Sequence, residues 1–285
     1  LKETNILFIG DIFGKAGKNA IHGGLPFLRD KYKPDIVIAN GENIAGGFGI
    51  TENLVKKLFR YGIDIITLGN HTWNKRDDLG DSLDTYENLL RPANYPPGNS
   101  GHGSTVFTTD NGIKVGVLNL MGRVYMPTTD CPFRIGRDQI DRLREQTQII
   151  IVDFHAEATS EKAAMGVFLD GLVSAVIGTH THVQTSDNRI LCDGTAFITD
   201  CGMTGPHDSI IGVKTHMALE HLLKSVQVRF EPATEGIRIQ GVFITIDIAN
   251  GKASHIERID IPFDEISLDM SQGKISSEFN MQSPG

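Results

Sequence analysis

Two imidazoles stand two residues apart, His180 and His182, just after the apolar run Ser174-Ala175-Val176-Ile177 and the pair Gly178-Thr179. In extended backbone, residues i and i+2 project to one side, so this spacing predicts two ring nitrogens aimed into one small volume. That is metal-ligand geometry, although a surface pair at a strand end has the same spacing. The company favours a metal. Gly10-Asp11 follows Ile6-Leu7-Phe8-Ile9, and Asn40-Gly41-Glu42-Asn43 follows Ile36-Val37-Ile38-Ala39. Gly69-Asn70-His71 follows Ile63-Asp64-Ile65-Ile66-Thr67-Leu68, and Asp153-Phe154-His155 follows Ile149-Ile150-Ile151-Val152. In layered α/β folds, sites gather at the carboxyl ends of the strands, so five such ends are expected to converge. Imidazole, carboxylate and carboxamide donors without thiolate suit Fe, Mn, Zn or Co and do not choose among them.

The elements that must carry these groups alternate. Lys18 to Tyr32 has helical spacing of Ile21, Leu25 and Leu28, weakened by Gly23-Gly24. Thr51 is placed to cap a helix with the apolar stripe Leu54, Val55, Leu58 and Phe59, and Gly62 to end it. Strand and helix alternate to about Leu90, the pattern of a sheet with helices packed outside. Ser104 to Thr109 with Ile113 to Asn119, and Arg189 to Cys192 with Ala196 to Thr199, read as hairpins around Asp110-Asn111-Gly112 and Asp193-Gly194. Helices are expected over 136–146, 159–171 and 213–225, the last with Met217, Leu219, Leu222 and Leu223 as its apolar positions. A final all-β stretch covers 226–230, 237–248 and 253–261. Residues 1–263 form one domain, and 264–285, rich in Ser, Gln, Asn and Gly, a surface or disordered tail.

The 285 residues carry a formal net charge of -8, which argues against a generic nucleic-acid or anionic-membrane surface. Neither stable nucleic-acid binding nor a membrane is expected, and a homo-oligomer is compatible with the composition. Cys131, Cys192 and Cys201 lack zinc or redox spacing; as buried small hydrophobes they suit a reducing cytoplasm. No run has the length of a signal-peptide core or a membrane span. Gly10, Gly14 and Gly17 match neither nucleotide-loop spacing and read as tight turns beside Asp11.

Gly10-Asp11, Gly41-Glu42-Asn43, Gly69-Asn70-His71, His155 and Gly178-Thr179-His180-Thr181-His182, in this order, resemble the signature of the calcineurin-like metallophosphoesterases. The strings Asn40-Gly41-Glu42-Asn43, Gly69-Asn70-His71-Thr72-Trp73, Asp153 to Lys162 and Gly202-Met203-Thr204-Gly205-Pro206 resemble more narrowly the YmdB-like bacterial phosphodiesterases. The resemblance spans residues 5 to 262 and implies an α/β fold in which two mixed β-sheets pack as a sandwich flanked by helices. It also implies a binuclear centre of divalent or mixed-valence ions. Asp11, Glu42, Asn43 and His182 would hold one ion; Glu42, Asn70, His155 and His180 the other, with Glu42 bridging. The broad pattern has Asp-x-His where this chain has Asp11-Ile12-Phe13, and Asp where it has Glu42. The narrower family repairs the first departure with the amide oxygen of Asn43.

Two divalent ions, two carboxylates and a bridging hydroxide sum to about +1, a charge that favours a phosphate anion on an acidic protein. The hydroxide is the expected nucleophile. His71, beside Asn70, is placed either to protonate the leaving oxygen or to orient a ligand. Resemblance implies a small phosphodiester substrate, a cyclic nucleotide and foremost a 2′,3′-cyclic one. A phosphomonoesterase and a metal-binding regulatory protein with incidental turnover are the alternatives. Gly202, Gly205, Pro206 and Gly212 predict tight turns that shape a closed mouth for mononucleotides. Trp73 is expected to pack beneath the site.

Overall fold

Alternate residues of the first strand go to different layers. In β1 (Glu3–Ile9), Ile6 and Phe8 join an apolar cluster between two sheets, while Leu7 and Ile9 join a second cluster beneath helices. The computed structural model describes residues 2–266. After β1 come β2 (Asp11–Ile12), α1 (Gly14–Tyr32), β3 (Ile36–Asn40), α2 (Glu52–Tyr61) and β4 (Ile65–Thr67). The short helices α3 (Arg76–Leu79) and α4 (Ser82–Thr85) lead to β5 (Leu89–Leu90), β6 (Ser104–Thr108), β7 (Lys114–Met121) and α5 (Pro132–Arg144). The chain continues through β8 (Ile150–His155), α6 (Thr159–Phe168), β9 (Ala175–Thr179), β10 (Arg189–Ile190), β11 (Ala196–Ile198) and β12 (Met203–Pro206). It closes with α7 (Thr215–Lys224), β13 (Ile237–Asp247) and β14 (Ala253–Pro262).

One sheet runs in the order β2-β12-β13-β1-β3-β4-β5, with β14 beside β13; the other runs β10-β11-β9-β8-β7-β6. Both are mixed. β1, β3, β4 and β5 are parallel neighbours in the first, and β7, β8, β9 and β11 in the second. The two sheets face each other through Ile6, Phe8, Ile36 and Ile38 on one side and Val117, Ile151, Ile177 and Ile198 on the other. Outside them, α1 and α2 cover the first sheet through Ile21, Leu25 and Leu58, and α5 and α6 cover the second through Ile140 and Met165. The α/β sandwich read from the sequence is the fold found.

Local chemistry explains several boundaries. Thr51 Oγ1 accepts the Leu54 N–H at 3.4 Å, and Gly62 ends α2 at φ 100°, as its position after the stripe predicts. Helix α1 survives Gly23-Gly24 because Gly24 lies against Ile239, where a Cβ would collide, so the glycine lets α1 settle on β13. Gly17 does the same against Thr204; it sits in α1, not in the expected turn.

Other expectations fail. In α7 only Ala218 is buried, while Leu219, Leu222 and Leu223 face outward, because no element covers that side among the described residues. Residues 226–230 form no strand; they lie in the connection between α7 and β13. Cys192 is exposed and Cys131 half-buried; Cys201 alone of the three is buried. Residues 263–266 are helical, and Ile266 is buried beside Gly24, so the core reaches four residues past the last strand. The rest of the expected tail, 267–285, lies outside the described residues. Among the described residues no helix is long and apolar enough to cross a membrane.

Candidate metal centre

The carboxyl ends of β1, β3 and β4 in one sheet and β8 and β9 in the other open toward one place. Asp11 comes just after β1 and is fully buried. Its Oδ2 accepts the His180 backbone N–H at 3.1 Å, and its Oδ1 lies 3.3 Å from Asn43 Nδ2. Glu42 and Asn43 lie in the turn after β3, where Asn40 Oδ1 accepts the Glu42 N–H at 3.2 Å. The two Glu42 oxygens diverge: Oε2 accepts the His71 N–H at 2.8 Å, and Oε1 lies 2.9 Å from His155 Nε2.

Around His155 Nε2 stand Glu42 Oε1 at 2.9 Å, Asn70 Oδ1 at 2.9 Å and His180 Nδ1 at 3.1 Å. Around the Asn43 amide stand His182 Nε2 at 3.1 Å, Asp11 Oδ1 at 3.3 Å and Glu42 Oε1 at 3.4 Å. The structure thus brings seven of the eight residues singled out in the sequence into two adjoining groups that share Glu42. Ligand atoms of Glu42, His155 and His180 all lie within 4.8 Å of one another, a group able to hold a metal ion. The eighth residue, His71, stands at the rim. Its Nδ1 is 3.3 Å from Asn74 Oδ1, and its ring lies 6.2 Å from the exposed Phe48.

Each histidine of the groups has one nitrogen turned inward and one held from outside. His155 Nδ1 meets Thr179 Oγ1 at 2.9 Å, His180 Nε2 meets Glu157 Oε2 at 3.0 Å, and His182 Nδ1 meets the Ile211 carbonyl at 2.9 Å. An outer partner of this kind fixes the ring and the tautomer of a metal-binding histidine and leaves the inner lone pair free. The Asn43 amide presents Nδ2 to its neighbours, and a half-turn about its last bond puts Oδ1 in the same place.

The pair His180 and His182 does not sit on a strand. Strand β9 ends at Thr179, and both histidines take positive φ, 103° and 64°. Their rings enter the site from a left-handed turn, not by the extended alternation expected, and one ring joins each group. Phe13, where the broad sequence pattern would have an imidazole, packs edge to face on His182 at 5.4 Å. Trp73 packs on Tyr95, whose hydroxyl donates to the Gly69 carbonyl at 3.2 Å. Residues 203–206, expected as turn, form β12 and pair with Asp11–Ile12, which fastens the Asp11 strand in place.

Charge in the site is lopsided. Burial raises the Asp11 carboxyl despite the attraction of His182 and His155. Burial would also raise Glu42, but His155 and His71 outweigh it and bring Glu42 down to about 2. Burial lowers His155, and Glu42, Asp11 and Asp153 outweigh it, raising the imidazole to about 9. His180 falls to about 3 through burial and then through His155. No Lys or Arg pairs with Asp11 or Glu42 among the described residues, so two buried carboxylates depend on positive charge delivered at the inner nitrogens. A cation fits that donor set.

Asp153, quoted in the sequence only as part of the string before His155, is a support of the site. It is fully buried, accepts Thr67 Oγ1 at 2.5 Å, Thr179 Oγ1 at 2.7 Å and Asn40 Nδ2 at 3.1 Å, and so braces His155 through Thr179. Burial raises its carboxyl to about 6 against the pull of His155, Thr67 and Thr179.

Residues 7–259 match the family described as YmdB-like protein. A Bacillus subtilis (strain 168) protein described as a 2′,3′-cyclic-nucleotide 2′-phosphodiesterase is 48% identical over 254 residues, covering 89% of this chain and 96% of that one. A crystal structure described as a novel phosphatase from Mycoplasma pneumoniae superposes with a TM-score of 0.85 at 36% identity, covering 94% of this chain and 97% of that one. A hypothetical protein from Thermus thermophilus gives 0.81 at 38% identity, with 91% and 100% covered. With its sandwich of two mixed sheets and its acidic and imidazole groups gathered at the strand ends, the chain belongs to the YmdB-like family.

Proposed function

We propose that this protein is a binuclear-metal phosphodiesterase that hydrolyses cyclic nucleotides, 2′,3′-cyclic nucleotides foremost. The observation that carries the reading is the pair of donor groups sharing Glu42, each with a histidine whose inner nitrogen faces the other donors of its group and whose outer nitrogen is held. Asp11, Glu42, Asn43 and His182 would hold one ion; Glu42, Asn70, His155 and His180 would hold the other. When bound, the ions supply Lewis acidity and a water acidified enough to act near neutral pH. Fe, Mn, Zn and Co all suit these donors.

His71 serves as the acid. Its backbone N–H is tied to Glu42 while its ring stands at the open rim, where a leaving oxygen would emerge. A cyclic nucleotide suits the site on two counts. Its single negative charge matches a centre near +1, and its ribose leaving group is poor enough to need a proton. The 48% identity to a protein described as a 2′,3′-cyclic-nucleotide 2′-phosphodiesterase supports the same class.

The test is steady-state hydrolysis, with Mn²⁺ supplied, of 2′,3′-cyclic AMP, 3′,5′-cyclic AMP, bis-nitrophenyl phosphate and nitrophenyl phosphate, compared by kcat/KM. Preference for the 2′,3′-cyclic diester supports the proposal. Preference for the monoester would make the protein a phosphomonoesterase. Absence of turnover by fully metal-loaded protein would favour a regulatory metal-binding role.

A further inference from the structure

Lys162 of α6 is almost wholly buried, 1% exposed, and its Nζ lies 2.6 Å from Asp200 Oδ2, itself fully buried. Two charges taken out of water gain little stability over an apolar pair of the same size, so a buried ion pair calls for another account. What Asp200 does with its remaining capacity supplies one. Oδ2 also accepts the Thr181 backbone N–H at 3.0 Å and the Thr181 hydroxyl at 2.8 Å, while Oδ1 accepts the Gly202 N–H at 2.9 Å. Thr181 is the residue between His180 and His182. Both histidines hold positive φ, which costs a residue with a Cβ free energy that neighbouring structure must offset. A Cβ at Gly178, before the turn, would collide with the Thr199 carbonyl and lie 3.2 Å from Lys162 Cδ, so the glycine admits the neighbouring backbone and, beside it, the stem of the lysine.

We propose that Lys162 and Asp200 are positioning residues: a buried ion pair that clamps Thr181 and thereby holds the His180 and His182 rings in ligand geometry. The proposal rests on the metal-centre reading above. Because the two histidines belong to different donor groups, one clamp governs both ions. Lys162 orients the carboxylate, the carboxylate fixes the turn, and the turn aims both rings.

The test uses full-length protein, freed of metal, titrated with Mn²⁺ by calorimetry and melted without metal. Lys162→Met combined with Asp200→Asn removes both charges at near-constant shape. An amide offers one acceptor oxygen where the carboxylate offers two, so Thr181 and Gly202 can no longer both be satisfied. Wild type should bind two Mn²⁺. The double variant should melt within a few degrees of ion-free wild type yet bind both ions about 10- to 100-fold more weakly, the usual loss when a partner of a metal ligand is removed. Thr181→Val, which deletes only the hydroxyl, should weaken binding about three- to tenfold, the equivalent of one hydrogen bond. A purely structural pair would lower the melting temperature and leave the affinity of folded protein unchanged. Affinity within twofold of wild type in the folded double variant overturns the proposal, and if that variant does not fold, the same result in Thr181→Val overturns it. Wild type that binds no Mn²⁺ overturns the metal reading itself, and the clamp with it.

Discussion

Gly69 lies against the His155 ring so closely that a Cβ at position 69 would collide with the imidazole at its Cδ2. The ring cannot retreat, because His155 is fully buried and its Nδ1 is held by Thr179 Oγ1 at 2.9 Å. Gly69→Ala should therefore displace the nitrogen that meets Glu42 and Asn70. Overpacking of this kind costs about 1–3 kcal/mol, and a misplaced ligand costs about 10- to 100-fold in metal affinity. Thermal melting and Mn²⁺ titration of the variant measure both effects, and wild-type affinity would show that His155 is not held where its neighbours place it.

Glu42 is the residue both donor groups use, with Oε1 at 3.4 Å from Asn43 Nδ2 and 2.9 Å from His155 Nε2. Glu42→Gln keeps the shape and removes the charge, so metal analysis should find fewer than two ions per chain and turnover should fall with them. Two tightly held ions together with full turnover would refute the sharing of Glu42.

The parts of this centre that the sequence revealed are those with a local signature. Apolar runs ending in Asp11, Glu42, Asn70, His155 and His180 mark strand ends, and a sandwich of parallel strands must bring such ends together. Thr51 and Gly62 announced the limits of their helix in the same local way. What failed was whatever depended on distant groups. His180 and His182 were expected on extended backbone, but Asp11 and Asp200 accept hydrogen bonds from the turn that contains them, and neither contact has a trace in the sequence around residue 180. The Ile211 carbonyl that orients His182 is backbone, so no residue type could announce it. Helix α7 shows the converse: its leucines repeat at helical spacing, yet spacing cannot say whether anything covers them.

Tyr95 offers a titration close to the centre. Burial first, and then the Glu42 charge, raise its phenol to about 12. Tyr32 is raised to about 12 by burial and Glu257. An acid whose folded pKa lies above its unfolded value of about 10 stabilises the fold fully below pH 10, and that contribution is lost as pH rises through about 12. Alkaline absorbance titration should show a late phase with the amplitude of two phenols. Tyr95→Phe should halve that phase, and Glu42→Gln should bring the Tyr95 midpoint down; an unchanged late phase in Tyr95→Phe would contradict the assignment.

His71 separates metal holding from proton transfer. Its ring stands outside both donor groups and contacts Asn74 and Phe48 at the rim, while only its backbone N–H touches Glu42. His71→Asn keeps that N–H, so the two groups stay intact and metal content should be near that of wild type. The rate on 2′,3′-cyclic AMP should fall by about 10²- to 10⁴-fold, the usual loss when a general acid is removed, because a ribose alkoxide leaves poorly without a proton. Nitrophenolate leaves readily as an anion, so bis-nitrophenyl phosphate should be hydrolysed with a much smaller loss. Equal losses on the two substrates at full metal loading would show that the His71 side chain orients a ligand or the substrate and donates no proton.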